Sequence, residues 1–144
     1  MNTINTITEK EESKPTVRMK LSALWIAMML LYIYADIFSL FKPGVLEEMM
    51  GGRMGPFPVT QASLLSAAVL TIIPAVMVFL SLALKSGAAR WASIILGVLY
   101  TLVNISNLIG ETWAFYILSG TVELVVTVLI IWHAWKWRSP EGAR

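Results

Sequence analysis

The sequence contains no cysteine. Disulfides, thiol redox chemistry and cysteine-held metal sites are therefore excluded. It contains one histidine, His133, so a metal or haem site needing several histidines of one chain is excluded as well. Charge is also scarce. Charged residues make up 14% of the chain, against about 25% in a soluble domain. A net charge of +2 gives no footing for nucleic acid, and none is expected as a partner. There is no Gly-x-Gly-x-x-Gly, no Walker loop and no Gly-x-Ser-x-Gly, so hydride transfer, phosphate cradling and serine hydrolase chemistry have no motif to rest on. The expectation is a non-enzymatic protein with no catalytic residue, cofactor or metal of its own.

What the chain does have is apolar sequence. Hydrophobic residues make up 57% of its 144 positions, with a mean hydropathy of +0.71. The charge deficit is concentrated in long uncharged stretches, as in membrane segments. A soluble domain of this length lacks the polar surface to cover so much apolar area. Four runs read as spans, at about 20–41, 61–84, 90–109 and 112–136, each long enough for a ~30 Å hydrocarbon core. They must be helical, because lipid offers backbone groups no partners. The fold class is all-α, an integral membrane antiparallel four-helix bundle over 18–138. Residues 1–17 and 139–144 form cytoplasmic tails, the first disordered, and 42–60 form an outer loop. The first run is too long for the core of a signal peptide and no small-x-small site follows it, so it reads as a span. Within the loop, Val45 to Met50 suits one short amphipathic helix.

Lysine and arginine set the orientation. Lys10, Lys14, Arg18, Lys20, Lys85, Arg90, Lys136, Arg138 and Arg144 fall on one side of a four-span chain, and only Lys42 and Arg53 on the other. The positive-inside rule then puts both termini in the cytoplasm, in a cell membrane crossed several times. Trp25, Trp91, Trp132, Trp135 and Trp137 gather near the inner interface and Trp113 near the outer one, which reads as an aromatic belt.

Each span carries a stripe of small or polar residues. Span three has Ser93, Gly97, Tyr100, Asn104, Asn107 and Glu111, spaced alternately by four and three, a seam facing neighbouring helices. Span four has Tyr116, Gly120, Glu123, Thr127 and Ala134. Span one has Ser22, Trp25, Met29, Tyr32, Asp36 and Ser39. Span two has Ser63, Ala67, Thr71 and Ala75, with Pro74 set to kink it. At ~1.5 Å per residue, Glu123 lies roughly 16 Å below Thr112, near the midplane and level with Tyr100. Tyr32 and Asn104 lie roughly 12 and 9 Å down, and Asp36, Asn107 and Tyr116 about 5 to 6 Å down. The candidate polar cavity therefore comprises Tyr32, Asp36, Tyr100, Asn104, Asn107, Glu111, Tyr116 and Glu123. It is expected to open outward, with Glu111 at the lip and Glu123 at the floor.

An acid inside a membrane is costly and usually functional or paired. No lysine or arginine lies inside a span, so Glu123 has two readings. One is a neutral packing group bonded to Tyr100 or a carbonyl. The other is a carboxylate that exchanges protons or binds a cation. The asparagines read as interhelical glue. Met49, Met50 and Met54 carry at most a weak Cu(I) signal without paired repeats or cysteine.

Several segments together resemble an uncharacterised family of small bacterial and archaeal four-span membrane proteins. They are Lys20-Leu21-Ser22-Ala23-Leu24-Trp25-Ile26 with Tyr34-Ala35-Asp36, Ile73-Pro74-Ala75-Val76-Met77 with Leu80-Ser81, Arg90-Trp91-Ala92, and Glu123 with Ile130-Ile131-Trp132-His133-Ala134-Trp135-Lys136-Trp137. The resemblance covers nearly all of the chain after Val17, and the layout is more distantly similar to the DoxX-like four-helix proteins. It implies the four-span topology and brings no activity. The functional expectation is a proton-coupled transporter or cation-binding subunit with an outward-facing acidic cavity. The alternatives are an assembly partner of another membrane protein and, from the DoxX-like layout, a quinone- or lipid-binding accessory protein. Expected partners are the lipid bilayer and a second copy or another membrane protein.

Overall fold

The computed structural model describes residues 15–137. The expected tails, and with them Lys10, Lys14, Arg138 and Arg144, lie outside the described residues. The chain forms α1 (Val17–Ser39), α2 (Val45–Met50), a two-stranded ribbon of β1 (Arg53–Met54) and β2 (Phe57–Pro58), then α3 (Gln61–Ala83), α4 (Ser86–Leu108) and α5 (Ala114–Lys136). The four long helices have 23 residues each, about 34 Å at 1.5 Å per residue, and all are apolar enough to cross a membrane. The chain is a multi-pass membrane protein built as an all-α bundle.

Local signals set the helix ends. Thr16 caps α1 by accepting from the Met19 N–H, so Val17, expected in the tail, belongs to the helix. Lys42-Pro43-Gly44 follows α1, and Gly44 takes a φ of +85° to open α2. Thr60 and Ser63 form a reciprocal capping box at the start of α3. The ribbon turns through two residues, and Gly55 at the first of them has φ +57°, the left-handed backbone that two-residue hairpins demand.

α1 packs on α3 and on α5, and α5 packs on α4, while α3 and α4 touch far less. Apolar side chains gain nothing by leaving lipid for a protein interior, so close packing and hydrogen bonds must hold the helices. Gly97 shows the packing term. A Cβ there would lie 2.7 Å from Ile131 Cγ1, so glycine lets α4 approach α5. Hydrogen bonds supply the rest. Ser22 Oγ donates to the Val78 carbonyl at 2.9 Å. The Arg18 guanidinium donates to the Leu82 carbonyl at 2.7 Å and to Ser86 Oγ at 3.0 Å, tying three helices at the end that carries the termini. Thr101 Oγ1 donates to Thr127 Oγ1 at 3.0 Å between α4 and α5.

The core holds Leu21, Trp25 and Met28 of α1, Met77 of α3, Tyr100 of α4 and Ile130 of α5. Two expectations shift here. Trp25 is no interfacial anchor: it is fully buried, edge-on to Tyr100 with ring centroids 6.1 Å apart. Trp91, Trp113, Trp132 and Trp135 are exposed on the bundle surface. On α3, the buried residues are Pro74, Met77 and Ser81, while Ala75 faces out and Ser63 is used in the cap. The seam is one position off the small-residue stripe because the proline itself packs inward.

Candidate functional site

Pro74 has no N–H, so the Leu70 carbonyl one turn earlier loses its helical donor. The Tyr100 hydroxyl takes that place, donating to the Leu70 oxygen at 2.6 Å. One bond thus repairs the break in α3 and joins α3 to α4 near mid-depth. From there toward the loop end no residue of α3 is buried. The space left between the helices is a cavity of about 420 Å³.

Six of the eight residues expected there line it: Tyr32 and Asp36 from α1, Tyr100 and Asn107 from α4, Tyr116 and Glu123 from α5. Ala67 and Thr71 of the α3 stripe complete the polar and small part of the wall, with Leu70 and Val103 between them. Met54, Pro56 and Phe57 of the ribbon close over the loop end. Sequence reasoning missed this roof, because Gly55 and Pro56 read only as loop punctuation. The Gly-Pro pair between residues able to form strands was the available signal. No lining residue is basic.

Glu123 forms the deep wall. It is 6% exposed, and no hydrogen bond among the described residues reaches its carboxyl. Its anticipated partner Tyr100 is committed to Leu70. Tyr32 donates instead to Asn104 Oδ1. Asp36 lies near the loop end of α1, exposed on the bundle and facing the same cavity.

Two expected residues stand apart. Asn104 is fully buried behind the cavity wall as the acceptor for Tyr32, and its Nδ2 has no partner. Glu111 is not at the cavity lip. It sits in the five-residue link 109–113, longer than the expected spans of about 90–109 and 112–136 leave, because α4 stops at Leu108 and α5 starts at Ala114. Its Oε2 accepts from Lys42 Nζ at 2.7 Å, and its Oε1 accepts from the backbone N–H groups of Thr112 and Trp113 at 2.9 and 3.0 Å. Burial alone would raise this carboxyl. The Lys42 ammonium and the two N–H donors outweigh it and hold the group below the ordinary carboxylate range. Lys42 Nζ also lies 4.8 Å from the centre of the Tyr116 ring. Lys42, the cation beside the Tyr116 ring, is therefore held by Glu111, leaving Asp36 and Glu123 to the cavity.

His133 Nδ1 lies 2.8 Å from the Leu129 carbonyl, and its ring is edge-on to Trp132. It plays no part in the cavity. No group of three or more His, Cys, Asp and Glu able to hold a metal ion occurs among the described residues.

A family model described as a family of unknown function, DUF6326, matches residues 7–143. No curated protein and no solved structure matches the chain, so the DoxX-like resemblance stands on layout alone.

Proposed function

We propose that this chain, which belongs to DUF6326, is a non-enzymatic cation-binding membrane protein, a transporter or transport subunit, in which Glu123 is the binding carboxylate. Glu123 carries the reading. A carboxyl is costly in a membrane interior, and an amide would serve packing more cheaply. This residue is 6% exposed, faces a cavity shared with Asp36, and among the described residues its carboxyl has no hydrogen-bond partner and no basic side chain lines the cavity. Such a group neutralises an incoming cation or exchanges it for a proton. Charge counting supports a cell membrane with both termini cytoplasmic, so that the cavity opens outward.

The test has two arms. A hydrophobic carbodiimide, which reacts with carboxyls in apolar surroundings, should modify Glu123 in the purified protein, as read by peptide mass spectrometry, and added cations should suppress the labelling. In proteoliposomes, Glu123→Gln should abolish proton-coupled uptake seen with the unaltered chain. Unchanged uptake in the variant removes the coupling role.

A second reading has its own observation. The loop half of α3 buries nothing within one chain, which suits an interface with a second copy or another membrane protein. Mass measurement in mild detergent separates these outcomes, since a stoichiometric foreign partner favours an assembly role.

A further inference from the structure

Resting on the cation-binding reading of Glu123, we infer that the ligand is an organic cation: an amine or quaternary ammonium group carrying an apolar, ring-sized body. Size is the first argument. A cavity of about 420 Å³ falls in the range of small-molecule sites, ~300–1,000 Å³, and far exceeds what one dehydrated metal ion fills. Donor chemistry is the second. Hard cations such as Mg²⁺ and Ca²⁺ take about six or more oxygen ligands in a defined shell. This cavity offers two carboxylates, one amide, one threonine hydroxyl and the Tyr116 hydroxyl spread over four helices, with no group of three metal-ligating side chains among the described residues.

The third argument is what the tyrosines present. The Tyr32 hydroxyl is spent on Asn104 and that of Tyr100 on Leu70. What Tyr32 then offers the cavity is ring surface, with the fully buried Tyr100 ring packed behind it. With Tyr116 on the same wall and Phe57 on the ribbon above, three accessible aromatic side chains line one space that also holds two acids. Aromatic faces attract ammonium groups by their quadrupole, most strongly when desolvated, and this is how quaternary ammonium ligands are recognised. An anionic ligand would face two carboxylates with no base. A neutral apolar one would leave Glu123 buried and unpartnered. Only a ligand with both charge and apolar bulk uses the whole wall.

The experiment uses the full-length protein in a mild non-ionic detergent, with binding followed by isothermal titration calorimetry. Four probes are compared: benzyltrimethylammonium, tetramethylammonium, benzyl alcohol and potassium or magnesium chloride. Benzyltrimethylammonium should bind saturably and at least tenfold more tightly than tetramethylammonium. Benzyl alcohol should give no saturable binding, and the metal salts should not compete. Glu123→Gln should abolish binding, and Tyr116→Leu should weaken it at least fivefold while the unfolding temperature changes little. Tighter binding of potassium or magnesium, lost in Glu123→Gln, overturns the organic class and leaves the cation-binding reading intact. Benzyl alcohol binding as well as benzyltrimethylammonium, unaffected by Glu123→Gln, overturns both. If Glu123→Gln does not fold, the ranking of probes on the unaltered chain and Tyr116→Leu still decides.

Discussion

Around Leu21, Trp25 and Met28, α1 meets α3 and α5 with side chains that are fully buried, and Ser93, Gly97 and Ala134 let α4 and α5 lie close. Around Tyr32, Asp36 and Glu123 it is α3 that stands off, contributing no buried residue before Pro74, while Gly120 still lets α5 close on Leu108 of α4. Both halves are drawn from similarly apolar sequence. They differ in the size and bonding of the residues that face inward. Glycine, alanine and serine permit contact between backbones, whereas three tyrosines and two acids hold the loop half open. In lipid, where burial of apolar surface supplies no force between helices, that difference alone separates a packed half from a hollow one.

The sharpest way to break the comparison is to enlarge one small residue in each half. In Gly97→Leu, the added Cβ would lie 2.7 Å from Ile131 Cγ1, and overpacking costs about 1–3 kcal/mol or more. We expect a loss at the upper end of that range, or a chain that fails to accumulate. Ala67→Leu points extra volume into the cavity and should change stability by less than about 1 kcal/mol. Thermal unfolding followed by tryptophan fluorescence reads both, and equal losses would mean that the halves are packed alike.

Tyr100 marks the boundary between the halves. Tyr100→Phe keeps the ring against Trp25 but leaves the Leu70 carbonyl with neither the missing Pro74 N–H nor a hydroxyl, at a cost of about 1–3 kcal/mol. Pro74→Ala restores the backbone donor. The double variant should therefore recover most of the loss, and a strictly additive cycle would show that the bond does not repair the helix break.

The smallest effect is expected at the loop end, outside the spans. Lys42→Met removes the ammonium that holds Glu111, a partly exposed pair worth about 0.5–1 kcal/mol. The sign of the pH dependence follows from the direction of the Glu111 shift. Its folded pKa lies below the ordinary carboxylate value, so the stabilisation is complete at neutral pH, above the unfolded value. It is lost as pH falls through the folded one. Denaturation series at neutral and acid pH should show the unaltered chain and Lys42→Met converging on the acid side. A gap that persists in acid would assign the stability to packing of Lys42 on its aromatic neighbours.

Much of this was legible because the relevant signals are local. Four apolar runs, the short helix after Gly44 and the inward stripes of α4 and α5 each follow from residues a few positions apart. Gly120, Glu123, Thr127 and Ala134 recur at helical spacing and are all buried. The misreadings involve partners distant in sequence. Trp25 looks like an interfacial anchor until Tyr100 is placed beside it. Ala75 looks like seam until the inward packing of Pro74 turns it out. Glu111 looks like a cavity acid until Lys42, 69 residues earlier, is found against it.

The sequence by itself determined that this chain crosses a membrane as four helices, because lipid tolerates no unpaired backbone and rewards uncharged runs of that length. On α4 and α5 it also determined which side chains turn inward, since a 3.6-residue period leaves the small and polar ones on one face. Only the tertiary structure decided which of those side chains satisfy one another. Tyr100 is spent on the carbonyl that Pro74 abandons, Tyr32 on Asn104 and Lys42 on Glu111. A hydrogen bond or ion pair depends on the position of two groups in space and not on their spacing along the chain. Glu123 emerges as the group left over, and that remainder is what makes the cavity a candidate site.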